Sequence, residues 1–202
     1  MPTGPGGLDS NGIWQFGEDD SEALASDLLN LGMGSVSTAI TNLEPVGVLQ
    51  VVSTTKTGTQ SGVVVKEGTL TVSGLAPAIT ASSATNKILV QGTVSIGNDS
   101  GLITYVTLLK NGSPLAGAIN SNPSSRRAAT SGGGHHSGGS IVPASFSFLD
   151  TAGNTTSNSY EVTVAHNSSA SRTMHVNRPA VQGNDLTDGQ YISTITLSEV
   201  AG

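Results

Sequence analysis

Between Asn86 and Gly112 the chain reads NKILVQGTVSIGNDSGLITYVTLLKNG. Ile88, Val90, Val94 and Ile96 share one parity, with Leu89, Gln91, Thr93 and Ser95 on the other. A period of two places the first set on one face of an extended chain, which predicts a half-buried strand. The cluster GNDSG at Gly97 to Gly101 leads into a second β-branched run, ITYVTLLK. That run closes on Asn111-Gly112, the dipeptide that best tolerates the positive φ angles of a tight turn. The expectation is a central β-hairpin, with further strands around it because two alone are not stable.

The same alternation recurs in VGVLQVVSTTK, VVVKEGTLTVSGL, IVPASFSFLD, SNSYEVTVAH, RTMHVN and YISTITLSEV, separated by Gly, Asn, Ser and Thr clusters. It is clearest in Ser145 to Phe148 and in Tyr160, Val162 and Val164. With no helical period between these runs, residues 46–202 read as a mainly β domain, an antiparallel β-sandwich of jelly-roll type. Two segments, Leu115 to Ser140 and Arg178 to Gln190, read as long loops, where a rigid sandwich carries its binding surfaces.

Ahead of the sheet the pattern changes. Asp19 and Glu22 have capping-box spacing, so a helix is expected from about Asp20 and over 21–45, ending at Glu44-Pro45. Leu24, Leu28 and Leu31 form one stripe. Leu29, Val36 and Leu43 lie seven apart, with Ala25, Gly32 and Ala39 also at sevenfold spacing. This reads either as an amphipathic helix covering a sheet or as a short stalk around a symmetry axis, and the stalk is the expectation adopted. Gly32 and Gly34 cost such a helix roughly 2 kcal/mol relative to alanine, so it needs neighbours beyond Leu31. Residues 1–20 hold Ile13, Trp14 and Phe16, which either pack back on the helix or sheet or anchor a docking interface.

Composition narrows the function. Charged residues make up 11% and aromatic residues 3% of the 202 positions, which leaves few groups for acid–base chemistry and a thin core per subunit. Oligomerisation is one way to compensate. The net charge of −6 argues against nucleic acid and anionic membranes as partners. There is no cysteine, hence neither a disulfide framework nor a thiolate metal site. The first residues lack the charged and apolar regions of a secretion signal, and no apolar run approaches the ~20 residues that span a bilayer, so membrane insertion is not expected.

Several phrases, in their order, resemble a β-sandwich domain of bacteriophage tail-fibre and other virion proteins. They are LQVV at Leu49 to Val52, SATNKIL at Ser83 to Leu89, LKNG at Leu109 to Gly112 with Leu108 before it, and STITLSE at Ser193 to Glu199. The likeness covers roughly Val46 to Val200. The leading NGIWQFGEDDSEALASDLLN resembles N-terminal segments of minor tail and fibre proteins from phages of actinobacteria. The resemblance implies that residues 1–20 attach the protein to the virion, with Ile13, Trp14 and Phe16 docking. It also implies a homotrimer, to which Leu29, Val36 and Leu43 contribute.

Chemistry-bearing clusters are sparse. His135-His136 is the metal-like pair, but adjacent histidines diverge in extended backbone and no third ligand has a convincing spacing. With Arg126 and Arg127 the pair marks a receptor-facing loop. His166 and His175 read as strand-end residues, not as a catalytic pair. Asp150, Glu161, Asp185 and Asp188 occur singly or in turn-like loops. No hydrolase, zinc-protease or phosphate-loop motif is present. The sequence therefore reads as a virion structural protein without cofactor or metal, not an enzyme, made in the host cytoplasm. Its expected role is that of a tail fibre or receptor-binding protein, and the alternative is a capsid decoration protein or head fibre. Its expected partners are its own copies, other virion proteins of tail, baseplate or capsid, and a host-surface glycan or protein.

Overall fold

The computed structural model describes residues 47–99, 101–120, 127–134, 140–181 and 189–202, together with the backbone of 7–8 and 14–15. The chain divides into two units, Met1–Pro45 and Val46–Gly202. In the first, β1 (Gly7–Leu8) and β2 (Trp14–Gln15) pair antiparallel, with Leu8 opposite Trp14. Ile13, Phe16 and the expected helix over 21–45, including Leu29, Val36 and Leu43, lie outside the described residues.

The second unit is built from alternating strands. In chain order these are β3 (Val48–Lys56), β4 (Gln60–Val64), β5 (Leu70–Thr71), β6 (Ala78–Thr80), β7 (Lys87–Asn98) and β8 (Thr104–Lys110). They continue as β9 (Ser113–Pro114), β10 (Ser131–Gly133), β11 (Val142–Thr151), β12 (Ser157–His166), β13 (Arg172–Val176) and β14 (Ser193–Val200). Every pairing is antiparallel. One sheet runs β3-β14-β7-β11, and the other β5-β12-β8-β10. Counting these eight strands along the chain, the sheets read 1-8-3-6 and 2-7-4-5, the strand order of a double-sheet jelly roll. The remaining strands are additions: β6 lengthens the border of β12, β9 folds back on β8, and β13 carries β4 beyond the far end of β7.

The expected central hairpin is corrected. β7 and β8 are consecutive in sequence but belong to opposite sheets, and the segment from Asp99 to Ile103 turns the corner between them. Their apolar sets meet across the core: Val94 and Ile96 contribute from one sheet, Val106 and Leu108 from the other. Alternation reveals that a strand has a buried face, but not whether the next strand lies beside it or opposite it. The tight turn at Asn111-Gly112 does form, with φ of 51° and 78°, and it joins β8 to β9 with Lys110 opposite Ser113.

The loop expected over Leu115 to Ser140 is also corrected, because β10 lies inside it and pairs with β8. Ser-Gly-Gly carries no strand signal in its side chains. Glycine is nevertheless required at Gly133, where a Cβ would stand 2.6 Å from Thr104 Oγ1 and 3.1 Å from Val142 Cγ1. The core is almost wholly aliphatic, with Tyr160 and Phe146 as its large rings.

Candidate functional site

Three phrases of the resemblance meet at one carboxylate. In STITLSEV the even spacing of Ile195, Leu197 and Glu199 puts an acid on the apolar face of β14, and Glu199 is fully buried. Its Oε1 accepts bonds from Ser82 N at 2.7 Å, Ser82 Oγ at 2.7 Å and Asn86 Nδ2 at 2.6 Å. Its Oε2 accepts from Gln50 Nε2 at 2.5 Å, and that amide also reaches Thr80 O at 2.7 Å. Gln50 comes from LQVV, Asn86 from SATNKIL and Glu199 from STITLSE. Burial by itself would raise the carboxyl pKa, but the bonds from Asn86, Gln50 and Ser82 outweigh it and hold it at about 2. Glu199 therefore ties β3, β14 and the β6–β7 connection together.

A second carboxylate joins the two sheets. Asp150 on β11 shares the parity of Phe146 and Phe148, and its Oδ2 accepts from Lys110 Nζ on β8 and Tyr160 Oη on β12, each at 2.7 Å. Lys110 Nζ also donates to the carbonyls of Thr151 and Ala152 at 3.0 Å and lies 5.8 Å from the centre of the Tyr160 ring. Burial, then the neighbouring carboxylate, pushes the Tyr160 phenol well above its ordinary range. This group is arranged for cohesion, since every polar atom just named is engaged within the protein.

His166 and His175 fall in strands at or near their ends, as the sequence indicated. At the end of β12, His166 Nδ1 accepts from Ser168 N at 3.0 Å, so Nε2 carries the proton and donates to Val64 O at 2.9 Å. His175 on β13 stands directly opposite Ser61 on β4, with Nδ1 2.7 Å from Ser61 Oγ. Burial lowers its pKa, Arg178 adds to that, and Asp99 opposes it. A neutral imidazole thus contacts an exposed hydroxyl, yet the contact is the one that register gives any cross-strand pair. The carboxylate of Asp99 bonds Thr173 N at 3.1 Å. Among the described residues no three or more His, Cys, Asp or Glu groups converge as a metal site.

The accessible feature is the outward face of β3-β14-β7-β11. Its side chains form rows across the four strands. One row is Val51, Ser198, Leu89 and Leu149; the next is Ser53, Thr196, Gln91 and Ser147; the third is Thr55, Thr194, Thr93 and Ser145. None of the twelve is charged. Thr93 and Ser145 hydroxyls lie 2.9 Å apart, and those of Ser53 and Thr196 3.0 Å apart. A shallow groove of about 660 Å³ crosses the two hydroxyl rows, bordered by Gln91, Thr93, Ser145, Ser147, Thr194 and Thr196.

Of the residues singled out from sequence, Arg127 is half-buried just ahead of β10, and the backbone of Trp14 lies in β2. Arg126, His135 and His136, and likewise Asp185 and Asp188, lie outside the described residues. The Glu199 and Asp150 clusters were not anticipated, although an acid at core parity in each strand signals them.

No protein-family model and no curated protein matches the chain. Among solved structures it is similar to the infectious bursal disease virus Gx strain structure, at 18% identity and a TM-score of 0.37. It is also similar to the infectious bursal disease virus VP2 subviral particle, at 17% identity and a TM-score of 0.38. Each match covers 75% of this chain and 37% of the other, so the chain spans little more than a third of those proteins.

Proposed function

We propose that this chain is a bacteriophage virion structural protein, a homotrimeric tail fibre or receptor-binding protein that works by binding and not by catalysis. The observation that supports this reading is the convergence at Glu199. Three of the four phrases that resemble a phage virion β-sandwich are brought together by one hydrogen-bond cluster, as parts of a single domain should be. In this reading residues 1–20 dock on the particle through Trp14 and its neighbours. The segment that holds Arg126, Arg127, His135 and His136 meets a host-surface glycan or protein, and several copies turn weak contacts into firm attachment.

A capsid decoration protein or head fibre would use the same domain, and position on the particle separates the two. The test is immunogold labelling of intact, purified particles with antibodies raised against the loop around His135, together with mass spectrometry of the same particles. Label at the tail tip or baseplate is expected. Label over the head makes this a decoration protein, and absence of the polypeptide from purified particles overturns a virion role altogether.

A further inference from the structure

Met174 and Val176 of β13 face the core, which turns His175 to the outer side of the sheet together with Gly97, the residue directly across from it on β7. A side chain on that side should be wet, yet His175 is only 7% exposed. The chain itself supplies cover. Asn177 takes a left-handed φ of 65°, which reverses the chain after β13, and a strap of residues 178–181 follows. A Cβ on Gly97 would stand 2.5 Å from the Arg178 carbonyl oxygen and 3.2 Å from Pro179 Cα, so the strap lies against β7 where glycine leaves room.

The root of the strap is fixed. Asn177 N donates to Ser95 O at 2.9 Å, its Nδ2 to Lys56 O at 2.8 Å and Gly58 O at 3.1 Å, and its Oδ1 accepts from Ser193 Oγ at 2.6 Å. Beyond that hinge, Arg178 Nε donates to Pro179 O at 3.1 Å, a bond inside the strap that does not tie it to β7.

The charged groups acting on His175 are Arg178 on the strap and Asp99 just past β7, whose carboxylate is held by Thr173 N; Ser61 and Gly97, on either side of it in the sheet, are neutral. A proton on the covered ring loses hydration and meets the Arg178 charge, and Asp99 offsets this only in part. Lifting the strap relieves both costs. We infer that His175 is a proton-operated latch: its neutral ring lets the strap close over Gly97, and proton uptake lifts the strap about Asn177 while β13 stays in the sheet. The strap is the first part of the Arg178 to Gln190 segment, so mild acid changes how that segment is presented. With the strap open the ring takes its proton at the ordinary 6.5, and with the strap closed it resists. Opening therefore increases as pH falls, by up to about tenfold between roughly pH 7.5 and 5.5.

The chain has no cysteine, so single cysteines report the strap in the full-length protein. Pro179 is buried and Val181 is 71% exposed. Labelling of P179C by a methanethiosulfonate reagent, divided by that of V181C at the same pH, cancels the thiol's own response to pH. The ratio should rise by up to about tenfold from roughly pH 7.5 to 5.5 with an unchanged circular dichroism spectrum, and stay flat when H175Q is added. Gly97→Ala pushes on the strap directly, and should raise the ratio already at neutral pH and remove its pH dependence. If P179C does not fold, A180C, half-buried on the same strap, takes its place. A flat ratio with His175 present, an equal rise with H175Q, or a rise that accompanies loss of the β-type spectrum overturns the latch. A ratio unaltered by Gly97→Ala overturns the seat of the strap on β7.

Discussion

Lys110 on β8 and Asp150 on β11 form an ion pair that reaches from one sheet to the other, Nζ to Oδ2 at 2.7 Å, with both side chains largely covered. Tyr160 completes it from β12. Asp150→Ala leaves the phenol without its acceptor and a largely covered ammonium without its counter-charge, with only the Thr151 and Ala152 carbonyls to bond, and should cost about 3–5 kcal/mol, whereas Tyr160→Phe removes one bond for about 1 kcal/mol. Urea unfolding followed by circular dichroism checks both, and equal effects would show that Asp150 is not the centre of the group.

Glu199 makes stability depend on acid. Its folded pKa is about 2 against an ordinary 4.5, so its contribution is present above 4.5 and is lost as pH falls through the interval down to 2. Melting temperatures of the wild type should fall across that interval. Glu199→Gln should flatten that part of the curve and lower stability at pH 7. Glu199→Ala, which strands the donors of Ser82 and Asn86, should cost about 1–3 kcal/mol for each donor left bare.

His175 acts in a higher range. Its folded pKa lies below 6.5, so the unfolded chain binds the proton more readily and stability declines as pH drops below 6.5. His175→Gln, which keeps a polar group facing Ser61, should remove that slope and leave the slope from Glu199. Melting curves from pH 8 to 2 give the answer.

Gly92 on β7 stands opposite Phe146 of β11 and Ile195 of β14. A Cβ there would stand 2.5 Å from the Thr194 carbonyl oxygen and 2.6 Å from Phe146 Cζ. Gly92→Ala should therefore destabilise by about 1–3 kcal/mol. Gly58→Ala, with open space around it, is the comparison and should have little effect.

Residues 46–202 contain their own core. Removal of Met1–Pro45 should leave a soluble protein with an unchanged β-type circular dichroism spectrum, which no longer enters virions if residues 1–20 are the anchor. Normal incorporation would sink the anchor.

Strand positions were readable because each strand has one buried face, as at Ile88 and Val90 or Tyr160 and Val162. Partnership was not. The run from Asn86 to Gly112 looks like a hairpin locally and is a corner between sheets, since sequence alternation carries no information about which sheet supplies the facing wall. β10 escaped notice because Gly132 and Gly133 are in the strand for lack of room. Glu199 and Asp150 were legible in principle, as acids in register with core residues. What they bond depends on segments far away in sequence, Ser82 and Asn86 for one and Lys110 for the other.

The position of β14 also bears on how the protein is made. It lies between β3 and β7, and Ser53 bonds Ile195 across 142 residues of chain. While the ribosome is still short of residue 193, the sheet has a gap at its middle, not a missing border. A chain terminated before this strand cannot close the sheet, because β3 and β7 are left without the strand that pairs with both. Closure of this sheet therefore waits until β14 has been made.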